Sequence, residues 1–144
     1  MSDVYRYSIL KDLGLIIQYH QNNITKNKMQ QLKSDIINDK DFNPKFGFIV
    51  DLRNAYINLT EDELLEYGNW VKANVKLTGL MRLVLLTSTP DHVTKTILFT
   101  LNENISPLHY KTFSTVEASI RWLNIDNCHL NYVTKEIEKL FVDQ

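Results

Sequence analysis

The sequence predicts an α/β fold: a single mixed β-sheet of about five strands that opens with a hairpin, continues as a βαβαβα core and closes with a C-terminal helix. Three observations lead there. Short apolar runs, Phe46-Gly47-Phe48-Ile49-Val50 and Met81-Arg82-Leu83-Val84-Leu85-Leu86, have the character of strands covered on both faces. They alternate with stretches whose apolar residues recur at helical spacing. Those stretches are introduced by residues suited to helix caps, Thr25, Thr60, Thr89 and Ser114.

Taken in order, Tyr5, Tyr7 and Ile9 alternate as a strand does, and Leu15-Ile16-Ile17 with Tyr19 make a second strand. Lys11-Asp12-Leu13-Gly14 between them gives a hairpin. Thr25 caps a first helix with Met29, Leu32, Ile36 and Ile37 as its buried stripe, ended by the cluster from Asn38 to Pro44. Lys26, Lys28 and Lys33, with Asp35 and Asp39 close behind, are expected on the solvated face of that helix. The run from Phe46 to Val50 is the third strand.

Thr60-Glu61-Asp62-Glu63 fits a capping box, which starts a second helix with the stripe Leu64, Gly68, Val71 and Val75. Met81 to Leu86 is the fourth strand. Thr89-Pro90 then places a cap before a first-turn proline, and the third helix carries Val93, Ile97 and Leu101. His109 to Phe113 is a fifth strand, and Ser114 with Glu117 is expected to form another capping box before Val116, Ile120 and Leu123. After a polar break, Val133, Ile137, Leu140 and Phe141 mark a terminal amphipathic helix. Residues 1–124 are thus expected as the α/β domain and residues 125–144 as a helical extension.

A chain of 144 residues fits one domain and buries enough surface to need no staple. Cys128 is the only cysteine, which excludes an internal disulfide framework and a cysteine-based zinc site. The formal charge of −1, from 16 basic and 17 acidic residues mixed along the chain, leaves no nucleic-acid or membrane-surface footprint. No basic-then-apolar leader pattern opens the sequence and no run has the length of a membrane span, so the cytoplasm is the expected location. His20, His92, His109 and His129 are scattered, and Gly14, Gly47, Gly68 and Gly79 fall in no phosphate-binding fingerprint. No metal or cofactor is expected.

Ligands of open α/β sheets sit beyond the carboxyl ends of parallel strands. That rule selects the segment from Asp51 to Thr60 after the third strand and the segment from Thr87 to His92 after the fourth. Asp51, Arg53, Ser88 and His92 are the polar candidates there. Asp51, Arg53 and Ser88 also have ordinary structural uses, as a loop anchor, an ion-pair partner and a helix cap. Cys128 beside His129 is read as an incidental thiol, because adjacency in sequence does not supply the base an active thiol needs. Trp70 and Phe99 lie off the apolar stripes of their helices and, with Ile137 and Phe141 on the terminal helix, are the candidates for an association surface. The terminal stripe is expected to dock on its own domain, with a homodimer as the alternative.

The segments Phe48-Ile49-Val50-Asp51-Leu52-Arg53, Thr60-Glu61-Asp62-Glu63-Leu64, Met81 to Thr87, and Phe113 to Ala118 continuing to Trp122-Leu123 together give a pattern that resembles the STAS, or anti-sigma-factor-antagonist, fold over residues 4–124. In detail the chain looks like small bacterial proteins grouped with it. The resemblance implies a non-enzymatic regulatory or protein-interaction module. In the anti-sigma antagonists an Asp-Ser-Ser-Gly motif opens the helix after the third strand, and its first serine is phosphorylated. Thr60 takes that serine's place, while Leu59, Glu61 and Asp62 depart from the other three positions. A phosphate on Thr60 would face Glu61, Asp62 and Glu63, so the switch is not expected to carry over. The competing expectation is a binder of a small apolar or anionic ligand, in the crevice between the Asp51 and Ser88 segments.

Overall fold

The computed structural model of the chain describes residues 2–74, 81–88 and 108–141. The elements run β1 (Val4–Leu10), β2 (Leu15–Ile24), α1 (Lys26–Ile37), β3 (Gly47–Ile57), α2 (Glu61–Asn74), β4 (Met81–Leu86), β5 (Leu108–Phe113), α3 (Val116–Trp122) and α4 (Leu130–Glu138). The five strands form one mixed sheet in the order β1-β2-β3-β4-β5. Only the β1–β2 pair is antiparallel, as a hairpin demands; the other three pairs are parallel. Gly14 closes the hairpin in the left-handed region at φ 62°, a conformation glycine adopts without steric cost.

The alternation of side chains along β2, β3 and β4 deals the apolar residues onto two faces. Ile16, Phe48, Val50, Leu52, Leu83 and Leu85 pack with Leu32 and Ile36 of α1 and Leu64, Tyr67 and Val71 of α2. On the other face Leu15, Ile17, Ile49, Val84 and Leu86 meet Val116 and Ile120 of α3 and Val133 and Ile137 of α4. The terminal helix is therefore built into the second core layer of the 1–124 domain. Ile137, a candidate for an association surface, is almost wholly buried there and offers nothing to a partner. Phe141 keeps an exposed edge, but its ring stacks on Tyr19 of β2 at 5.0 Å.

Two strands outrun the sequence reading. β2 continues past Tyr19 through His20-Gln21-Asn22-Asn23 to Ile24, and β3 continues past Val50 to Ile57. Each extension supports the other: Gln21 pairs with Asn54 and Ile24 with Ile57, across a bulge between Tyr19 and Gln21. The polar residues disguise strand extensions whose ladder runs between β2 and β3, past the last β4 pair at Asp51. Asn22, at φ 67°, takes the left-handed conformation that asparagine tolerates better than most residues.

The caps follow the expected chemistry with one shift. Thr25 accepts from the Lys28 amide. At α2 the box is reciprocal, with Glu63 N donating to Thr60 Oγ1 at 3.1 Å and Thr60 N donating to Glu63 Oε1 at 3.1 Å. At α3 it is Thr115, not Ser114, that caps, taking the Ala118 amide at 3.2 Å. Thr115 has the extended backbone that a cap requires, and α3 begins one residue later than the Ser114 box would place it. The expected Thr89 cap, the third-helix stripe of Val93, Ile97 and Leu101, and Val75 lie outside the described residues.

Candidate functional site

Asp51 and Arg53 belong to β3, not to a loop beyond it. Asp51 is fully buried on the α3/α4 face, and the Arg53 guanidinium grips it from two residues on, with Nε to Oδ1 at 3.0 Å and a terminal nitrogen to Oδ2 at 2.9 Å. The Arg53 backbone amide adds a third donor to Oδ1 at 3.0 Å. Both carboxylate oxygens are thus occupied, and the carboxylate holds the Arg53 pKa above its usual value. Beside them the Tyr19 hydroxyl donates to Gln21 Oε1 at 2.7 Å and accepts from Asn54 Nδ2 at 3.2 Å. This closed network satisfies itself. Ser88 is exposed and His92 and Phe99 lie outside the described residues, so the described structure brings together only the Asp51–Arg53 pair of the four expected ligand contacts.

The polar groups that do converge are on the opposite face. A cavity of about 60 Å³ lies between the sheet and the α1/α2 layer. By the ~10–15 Å³ that one water needs on this measure, it holds a handful of water-sized atoms. Its walls are mainly apolar: Ile24 from β2, Val50, Leu52 and Ile57 from β3, Leu83 and Leu85 from β4, Met29 from α1, Leu64 from α2, and Leu59 between β3 and α2. Into this lining the fold sets Gln18 and His20 of β2, Lys33 of α1 and Tyr67 of α2. The lining side chains that reach the surface are Met29, Ile57 and Leu59, near the carboxyl ends of β2 and β3. The cavity mouth lies near the carboxyl ends of β2 and β3, but the space opens under the helices rather than between the Asp51 and Ser88 segments.

Lys33 is the unusual member. It is only 4% exposed, in place of the solvated position its charge suggested. Its helical spacing explains the burial: Met29, Leu32, Lys33 and Ile36 form one i, i+3, i+4, i+7 stripe, and the stripe faces the sheet. The Lys33 ammonium donates to Gln18 Oε1 and lies 4.2 Å from the centroid of the Phe48 ring. Burial drives its pKa from 10.5 down to about 7. Lys26 and Lys28, by contrast, keep partial exposure and pair with Glu66 and Asp3.

His20 is equally buried, and burial together with the Lys33 charge lowers its pKa to about 4, so its ring is neutral near pH 7. Burial raises the Tyr67 hydroxyl well above its ordinary range and keeps it protonated. Trp70, a candidate for an association surface, is half-buried and stacks on Tyr67 at 6.3 Å. It backs the cavity wall. The arrangement is an apolar socket with donors and acceptors at one side, suited to orienting a small molecule.

Cys128 is an exposed free thiol, and the neighbouring Asp126 carboxylate raises its pKa, the opposite of what an activated nucleophile needs. Among the described residues no group of three or more His, Cys, Asp or Glu side chains is placed to hold a metal ion, and no helix is long and apolar enough to cross a membrane. No protein-family model and no curated protein matches the chain.

Proposed function

We propose that this chain binds a small, mainly apolar molecule with one polar or anionic head in the cavity between the sheet and the α1/α2 layer. One observation carries the reading: Lys33, Gln18, His20 and Tyr67 are buried together around an otherwise apolar cavity. Burying a lysine and a histidine costs stability, and a packed core of Leu or Met at those positions would avoid that cost. A ligand head that accepts from Lys33 or Tyr67 recovers part of it on binding. The ligand's apolar body is then held by Leu52, Leu64, Leu83 and Leu85, with the mouth at Met29, Ile57 and Leu59 as the way in.

The STAS-like regulatory module, acting through protein contacts, is the competing proposal and rests on the sequence resemblance. Of its named association residues, Ile137 is core, while Trp70 and Phe141 are engaged by Tyr67 and Tyr19. A thermal-shift panel of short-chain alcohols, carboxylates, amides and aldehydes separates the two. Binding in the cavity raises the melting temperature for at least one head group, with chain-length dependence, and Lys33→Met abolishes the head-group preference. No stabilisation by any compound at millimolar concentration would remove the ligand reading.

A further inference from the structure

We propose that the head group this cavity takes is a carbonyl, and that Lys33 captures a small aldehyde or ketone as an imine. The inference rests on the binding reading above and adds the chemical class of the ligand and the bond it forms. Lys33 brings the only amine that lines the cavity among the described residues, and the surrounding walls are apolar. An amine attacks a carbonyl only when neutral. Burial supplies that form: a pKa of about 7 leaves roughly a thousand-fold more neutral amine near pH 7 than a lysine in water has.

The step balances without an oxidant or a metal. The Lys33 Nζ lone pair forms the C–N bond as the carbonyl π pair moves to oxygen. One N–H proton passes to that oxygen, giving a carbinolamine. The hydroxyl then leaves with the second N–H proton as water, and C=N remains. A carbonyl oxygen needs a donor while it gains charge, and Tyr67, its hydroxyl kept protonated by burial, lines the same cavity. Apolar walls that exclude bulk water also slow the reverse hydrolysis. Gln18 Oε1, which accepts from Nζ, holds the amine on the cavity side of α1. The volume admits a carbonyl compound of only a few heavy atoms.

The test is reductive trapping with butanal and cyanoborohydride on the full chain near pH 7, followed by peptide mapping of the adducts. The expected result is a dominant single butyl adduct on Lys33, about ten-fold or more above that on exposed lysines such as Lys11 and Lys139. Lys33→Met removes that adduct and leaves the minor ones. Adducts spread over the exposed lysines, with Lys33 at or below their level, would overturn the inference. Butanol, which has the same chain and no carbonyl, distinguishes the two failures: stabilisation by butanol without a Lys33 adduct leaves the binding reading standing and sinks the imine, whereas no effect of either compound sinks both.

Discussion

The Lys33 ammonium sits 4.2 Å from the centre of the Phe48 ring, where an α1 side chain faces an inward residue of β3 across the apolar layer. The ring face offers some electrostatic relief, yet it replaces only part of the hydration that a cation loses. Burial lowers the folded-state pKa, so between about pH 7 and pH 10 the unfolded chain binds a proton that the folded chain does not, and stability rises with pH across that window. Above pH 10 the trend reverses, because Tyr7, pushed up to about 12 by burial and by Asp39, and Tyr67, raised by burial, resist ionisation in the folded state. Urea titrations from pH 6 to 10 check the rise. Lys33→Met flattens it and stabilises the protein by about 2 kcal/mol at pH 7, the relieved desolvation exceeding the loss at an unpaired Gln18.

His20 sets a second window on the acid side. Its folded pKa of about 4 lies below the ordinary 6.5, so stability is full above pH 6.5 and is lost progressively as pH falls toward 4. The loss is on the order of 3 kcal/mol. His20→Phe removes that slope while leaving the alkaline window of Lys33 in place. An unchanged acid slope in the variant would place its origin in the carboxylates instead.

Thr60 works as a helix cap. With the reciprocal Thr60–Glu63 bonds in place, Thr60→Ala is expected to cost about 1 kcal/mol of stability, and Thr60→Ser much less. Chemical denaturation of the two variants side by side measures the difference.

The succession of strands and of the described helices, and most caps, were legible because apolar periodicity and capping residues are local signals. Tyr5, Tyr7 and Ile9 alternate in the sequence as they do on β1, and Thr60 with Glu63 announces its own hydrogen bonds. The site was not legible, because its signals are tertiary. Gln18 and His20 look like the end of a strand until β3 is seen pairing beyond them to Ile57. Lys33 did carry a local sign, its place on the Met29–Leu32–Ile36 stripe, but charge overrode spacing in the reading. Asp51 and Arg53 were misread for the same reason: their polarity suggested a loop, whereas each satisfies the other within a strand.

The terminal helix is part of the core rather than an appendage. Val133 and Ile137 are fully buried against β2, β3, β4 and α3, so Ile137→Ala is expected to cost about 2–5 kcal/mol in a single cooperative transition. A loss under 1 kcal/mol, read from a denaturant midpoint, would mean that α4 docks only loosely.

Met29 is the lining residue that reports on the cavity most directly, since it stands at the mouth and the chain has only three methionines. The protein labelled with methyl-13C methionine can be titrated with butanol and butyrate and followed by NMR. A ligand that enters the cavity shifts the Met29 methyl resonance in a saturable manner, and Leu64→Trp, which fills the space, abolishes the response while the other methionine signals stay in place. A Met29 signal that does not move, or moves linearly without saturation as the folded protein is carried through the same titration, would contradict a binding site beneath α1 and α2.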